Sequence, residues 1–135
     1  MAMSDWNAKI IAEFRANGGH VENFGDHLVL LHTTGAKSGK ERVNPVAFQQ
    51  DGDRLVVFAS KAGAPTNPDW YHNLLANPRA KVETGTETYD VVARVAEGEE
   101  RDRLWTRQKE LMPGFADYEI ATSRQIPVIV LERPR

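Results

Sequence analysis

The chain contains no cysteine, which removes disulfides, thiolate nucleophiles and sulfur-ligated metals together and agrees with a reducing compartment. Long apolar runs are missing as well. No stretch approaches the roughly 20 residues that a membrane-crossing helix needs, and MAMSDWNAKIIAEF lacks a basic region followed by an apolar core of signal-peptide length. The cytoplasm is therefore the expected location. A net charge of −2 offers no global attraction to nucleic acid. Four scattered histidines, His20, His27, His32 and His72, show no H-E-x-x-H or comparable ligand spacing, so no metal is expected.

What is present is the composition of an ordinary globular chain: 135 residues, 41% apolar and 27% charged, enough for one domain spanning residues 1–135 with its own core. An amphipathic helix is predicted over about 5 to 17, capped by Ser4 or Asp5, with Trp6, Ile10, Ile11 and Phe14 on one face and Gly18-Gly19 as its stop. Strands are predicted at 27–34, 41–50, 54–60, about 80–84, 87–95 and 126–133, the second and third joined by the turn residues DGD. Pro45 cannot donate to a ladder, so its strand should lie at an edge or a bulge. Short helices are expected from Pro68, over about 97 to 112, and around Phe115 and Tyr118. Hairpin connections without βαβ alternation point to an α+β fold, an antiparallel sheet or small barrel flanked by helices.

Charge is concentrated locally. HTTGAKSGKERVNPV at 32–46 carries Lys37, Lys40 and Arg42 against Glu41, whereas AEGEERD at 96–102 has four acids and one arginine. A basic patch on a mildly acidic chain suggests a small anionic ligand. It is not a P-loop: Gly35 to Gly39 is one residue short, and Glu41 stands where a magnesium-binding hydroxyl is required. Nor is it a nucleophile elbow, because Ser38 falls one position late in GAKSG. With ASKAG at 59–63 and the aromatic helix start Asp69-Trp70-Tyr71, the segment could form a site for an anion joined to a ring. The alternative is a glycine-shaped turn with a solvated basic face.

HTTGAKSGKERVNPV followed by ASKAGAPTNPDWYHNLLANP and the closing RQIPVIVLER resembles the paired signature of the deazaflavin-dependent nitroreductase family, split-β-barrel proteins that bind coenzyme F420. The resemblance covers residues 28 to 133. It implies a mainly antiparallel split barrel of the flavin-reductase or FMN-binding kind, with Ala36, Lys37, Ser38 and Arg42 on the phosphate and acidic tail of the deazaflavin. Val43, Asn44, Pro45, Val46 and Ala47 would line the ring through backbone groups. Phe58, Ala59, Ser60 and Lys61 would close the other side, and Asp69, Trp70, Tyr71, His72 and Asn73 would cover the cofactor. An acceptor pocket is implied at Ala47, Met112, Phe115 and Tyr118, under the N-terminal helix at 1–19. The family's best-known nitroreducing pattern has tyrosines where this chain has Ala47, Met112 and Phe115, and only Tyr118 is kept. The pocket is thus less polar, which argues against a nitroimidazole substrate; for Met112 and Phe115 the other reading is core packing.

The activity so implied is transfer of a hydride from reduced F420 to an electron-poor small molecule such as a quinone, an activated enone or lactone, or a nitroaromatic. Ser60 would hydrogen-bond the acceptor, and Tyr118 would orient it or relay a proton. Two alternatives accompany this reading, an FMN-binding split-barrel oxidoreductase and a non-catalytic F420 carrier. The chain is expected to be a monomer or homodimer. Its N-terminal helix is expected to cap the pocket, with peripheral membrane contact as the other use of that apolar face.

Overall fold

Six aliphatic or β-branched segments each form a strand, as their patterning dictates. The computed structural model describes residues 5–22 and 24–134; the proposed Ser4 cap and the Asp5 side chain lie outside what is described. The strands are β1 (Leu28–Thr34), β2 (Glu41–Asp51), β3 (Arg54–Phe58), β4 (Arg79–Glu83), β5 (Thr88–Val95) and β6 (Val128–Glu132). All neighbours are antiparallel, and they close into a barrel in the order β1-β2-β3-β6-β5-β4. Among the described residues, four α-helices flank it, α1 (Asp5–Ala16), α2 (Asp69–Ala76), α3 (Gly98–Leu111) and α4 (Gly114–Ala121), with a short 3-10 turn at Lys61–Gly63. The third and last strands are shorter than predicted: Ala59 still donates its N–H to the opposite Pro127 carbonyl at 3.0 Å, but Pro127 has no N–H to return and the ladder ends there.

Alternation sorts the strand residues into two layers. Val29, Leu31, Val46, Leu55, Val57, Ile129 and Leu131 fill the barrel, and Trp70 and Leu74 of α2 plug one end of it. On the outside, Val56, Phe58, Val128 and Val130 pack under Leu104 and Trp105 of α3 and Phe115 of α4. α1 covers a separate outer patch through Ile10, Ile11 and Phe14, which pack with Leu28, Leu30, Val43 and Ala47. Each such side chain contributes roughly 1.5–3 kcal/mol on full burial. The end of α1 is fixed further by a two-pronged ion pair from Arg15 to Glu83, both contacts at 3.0 Å. There Gly85 meets Gly18 so closely that a Cβ would fall 1.9 Å from the Gly18 oxygen.

Pro45 lies in the middle of β2, opposite Leu30, and a closed barrel has no edge strand to hold it. The resolution is local. β2 pairs with β1 along 41–47 but with β3 only from Phe48 onward, leaving the first half of β2 open on one side. The bonds Gly35 N–H to Lys40 O (2.7 Å) and Phe48 N–H to His27 O (3.0 Å) set the alternation, so even-numbered residues of β2 bond β1. Odd-numbered ones turn their backbone groups to the open side. Pro45 is among them, and its missing N–H therefore breaks no ladder bond.

α3 docks through Leu104 and Trp105, and a set of ion pairs fixes its exposed side. Glu100 receives Arg94 at 2.6 and 2.9 Å and Arg54 at 3.3 Å, Arg94 also reaches Glu132 at 2.6 Å, and Arg103 reaches Asp51 at 3.2 Å. Hydrogen bonds from Arg94, aided by Arg54, hold the Glu100 carboxyl down at about 2 from its ordinary 4.5, against the opposing effect of burial. A depressed carboxylate stabilises the folded state fully above its unfolded value and progressively less as pH falls toward its folded one. Stability to urea should accordingly decline between about pH 4.5 and 2. Glu100→Gln should flatten that part of the profile, and an unchanged slope in the variant would assign the acid sensitivity elsewhere.

Candidate functional site

The β1–β2 connection, GAKSGK, folds back on itself: Gly39 N–H donates to the Gly35 carbonyl at 2.9 Å and Lys40 N–H to Ser38 Oγ at 3.2 Å. Asn73, buried on α2, anchors it from behind. Its Oδ1 accepts the Ala36 N–H at 2.9 Å while its Nδ2 donates to Thr33 Oγ1 at 3.0 Å. Lys37 and Ser38 thus sit at an exposed tip with half-buried Arg42 at the start of β2. Neither Lys37 nor Lys40 has a carboxylate partner among the described residues, and Glu41 lies instead 3.5 Å from His32. Positive groups left without counter-charge at a hydroxyl-bearing turn suit an anion with several oxygens. Asn73→Leu would leave the Ala36 N–H and the Thr33 hydroxyl unpaired. It is expected to lower the unfolding free energy by about 2–4 kcal/mol, measurable by urea denaturation.

Beside this loop runs the open half of β2, offering the backbone groups of Val43 and the carbonyl of Pro45. The β3 end and the turn after it continue from the same end of the barrel. Ser60 is right-handed helical (φ −76°, ψ −38°), and Lys61 and Ala62 follow at φ 48° and 54°, the only non-glycine residues described with positive φ. Arg124 holds this turn. Its Nε donates to Ala64 O (3.0 Å), one terminal nitrogen to Ala59 O (3.0 Å) and Asn67 Oδ1 (2.6 Å), and the other to Ser60 O (2.8 Å).

The third wall is aromatic. Phe58, Trp105 and Phe115 meet edge-on or tilted at 5.8–6.2 Å, and Phe115 meets Tyr118 at 5.1 Å. Half-buried Ala47, Met112 and Tyr118 pack against that cluster, and Ala47 also touches the α1 patch. Behind them runs a buried polar chain: Gln49 Nε2 donates to Gln108 Oε1 and Gln108 Nε2 to Met112 Sδ, both at 3.2 Å. Phe115 is 6% exposed, so its contribution is packing, whereas Met112 and Tyr118 retain exposed surface.

Several expected site residues face elsewhere. Val46 (8% exposed), Ala59 (0%) and Trp70 (6%) turn into the barrel, and the backbone of Asn44 and Val46 is committed to β1 by the alternation. Trp70 serves α2 as its anchor, so its indole is not a wall of the cleft. Asp69 and His72 are exposed, with Tyr71 edge-on to His72 at 5.5 Å. A cavity of about 600 Å³ at the same barrel end is lined by Asn67, Tyr71, Val95, Arg101, Gln125 and Pro127. It shares Tyr71 with the expected set but none of the basic loop. A flat ring against a strand edge needs an open groove, which is what the β2 edge and the 59–62 turn provide.

A family model described as F420H(2)-dependent quinone reductase matches residues 6–133. The chain belongs to that family. As a member of the F420H(2)-dependent quinone reductases it is an oxidoreductase whose cofactor is coenzyme F420. An F420H(2)-dependent quinone reductase of Mycobacterium tuberculosis is 41% identical over 108 residues, covering 78% of this chain and 72% of that protein. Among solved structures, an F420-H2 dependent reductase, FDR-A, superposes with a TM-score of 0.73 at 42% identity, covering 78% of this chain and 94% of the other. A domain-swapped dimer superposes at 0.75 with 39% identity, covering 95% and 98%. The haem storage protein HutZ from Vibrio cholerae, at 19% identity, 96% and 91% coverage and a TM-score of 0.63, shares the fold. The donor set here fits the reductase's cofactor: uncompensated Lys37, with Ser38 and Arg42, for its anionic tail, and unpaired strand backbone beside them for its ring.

Proposed function

We propose that this reductase passes a hydride to a quinone held between α1, α4 and the β2 edge. When bound, reduced F420 supplies the hydride. Lys37, Ser38 and Arg42 would grip the cofactor's anionic tail, and the open backbone of Val43 and Pro45 would fix its ring, with Ala47 at the end of that edge. Ser60 donates a hydrogen bond to the acceptor oxygen, which gains negative charge as the reaction proceeds. Tyr118 orients the acceptor, and the apolar surfaces of Ala47 and Met112 exclude water from it. Residues 1–135 act as one cofactor-binding unit with α1 over the pocket, a cytoplasmic monomer or homodimer.

The observation that supports this most is the open first half of β2 lying next to a basic, hydroxyl-bearing loop. The apolar character of the Ala47–Met112 wall favours a quinone over a nitroimidazole. Protein-dependent oxidation of reduced F420 by menadione, with negligible turnover of a nitroimidazole, is the expected result. Saturable F420 binding without turnover of any quinone would identify a carrier instead, and tight binding of FMN without F420 would overturn the cofactor assignment.

A further inference from the structure

Arg124 lies outside the residues that sequence reading assigned to the site, and its contacts are unusual for an arginine. Four hydrogen bonds reach three backbone carbonyls and one amide, all within residues 59–67. No carboxylate contacts it among the described residues, and burial pulls its guanidinium below the ordinary arginine value without any acid to offset the effect. A guanidinium stays charged in proteins, so its charge is directed wholly at one short loop. That loop contains consecutive non-glycine residues in the left-handed region, Lys61 and Ala62. Such conformations are disfavoured for residues with a Cβ and persist where surrounding contacts over-determine them. The stretch from Ala59 to Ala64 has three of its carbonyls clamped by Arg124, and Gly63 is pressed against the backbone of Tyr118 in α4.

We propose that Arg124 is the positioning residue of the acceptor site: by holding the carbonyls of Ala59, Ser60 and Ala64 it imposes the strained 60–62 turn, and so sets where that wall of the cleft stands. This rests on reading residues 58–61 as one wall of the site. Arg124 itself touches neither cofactor nor acceptor. The loop at 35–42 is held separately by Asn73, so tail binding and acceptor geometry are governed by different anchors.

The test compares Arg124→Gln, Arg124→Lys and each combined with Ala62→Gly, in the full chain, with Ser60→Ala alongside. Arg124→Gln should lower kcat/KM for menadione by about tenfold to a hundredfold, the scale set by a misplacement of about 1 Å. Affinity for oxidised F420, read by fluorescence, should fall by a smaller factor than kcat/KM, because the bonds to the tail at the 35–42 loop are untouched and only one wall of the ring's groove shifts. Adding Ala62→Gly should restore at least about fivefold of kcat/KM, since glycine adopts a positive φ without an anchor. General destabilisation would move the melting temperature but would not give a loss in kcat/KM that is reversed at residue 62. Unchanged kcat/KM in Arg124→Gln, or a loss that Ala62→Gly leaves in place, overturns the proposal. If Arg124→Gln does not fold, Arg124→Lys with and without Ala62→Gly supplies the same comparison. A loss in Ser60→Ala with none in Arg124→Gln rejects the positioning role alone. No loss in either rejects the reading of 58–61 as a wall.

Discussion

Replacing Lys37 and Arg42 together by alanine should weaken F420 binding by about 2–5 kcal/mol, between about thirtyfold and about four-thousandfold in Kd. Each group is placed to make charge-assisted bonds to phosphate or carboxylate oxygens, and these are roughly twice as strong as neutral ones. Nearby acid does not pre-empt Lys37, because Glu41 is turned toward His32. The loop itself should survive, since Asn73 holds it through the Ala36 N–H. Fluorescence titration with oxidised F420 measures the effect. Raising the ionic strength should weaken wild-type binding and leave the double variant nearly insensitive, because exposed charges are screened within about 8 Å at physiological salt. Equal affinity of variant and wild type would move the tail site away from this loop.

The second large effect is expected at Gly63. It adopts φ +81°, and a Cβ there would lie 2.8 Å from the Ala121 Cβ and 3.1 Å from the Tyr118 oxygen. Alanine would thus combine left-handed strain with a collision against α4 that no side-chain rotation relieves. About 2–4 kcal/mol of unfolding free energy should be lost, from roughly 1 kcal/mol of backbone strain and 1–3 of overpacking. Function should report where the strain goes. α4 carries Phe115 and Tyr118, so kcat/KM for menadione should fall more than about tenfold while F420 affinity, set at the 35–42 loop, changes little. Gly114→Ala is the control: nothing lies within 4 Å of its Cβ position, and its stability should stay within about 0.5 kcal/mol of wild type. A Gly63→Ala variant as stable and active as the control would mean that α4 moves freely and does not shape the site.

The strands were legible because Val, Ile and Leu cluster between turn residues, and the helices because Gly and Pro end them. Pro45 announced an interruption without revealing its form. An edge or a bulge was the natural expectation, and the edge is a local one: the barrel closes while leaving half of one strand paired on one side only, a property of registers among β1, β2 and β3 that no single segment encodes. Trp70 shows a different limit. Beside a possible ring site its indole reads as a wall, but an eight-residue helix can turn either face inward, and the vacant barrel end claimed the largest side chain. Arg124 was hidden for a third reason. Its acceptors are mostly backbone carbonyls, which leave no trace in residue identity; the one available signal was an arginine with no acid closer along the chain than Glu119. Gln49 and Gln108 were equally silent, because two amides nearly sixty residues apart give no hint that they meet.

The unpaired half of β2 has a consequence for solubility. Between cofactor turnovers it presents bare strand backbone, the kind of surface onto which a second chain adds itself and begins an aggregate. Pro45 sits in the middle of that surface with no N–H to give, so an incoming strand meets a gap in the ladder where it would need a donor. The registers leave the groove open for a flat ring, and Pro45 guards that groove against other copies of the protein.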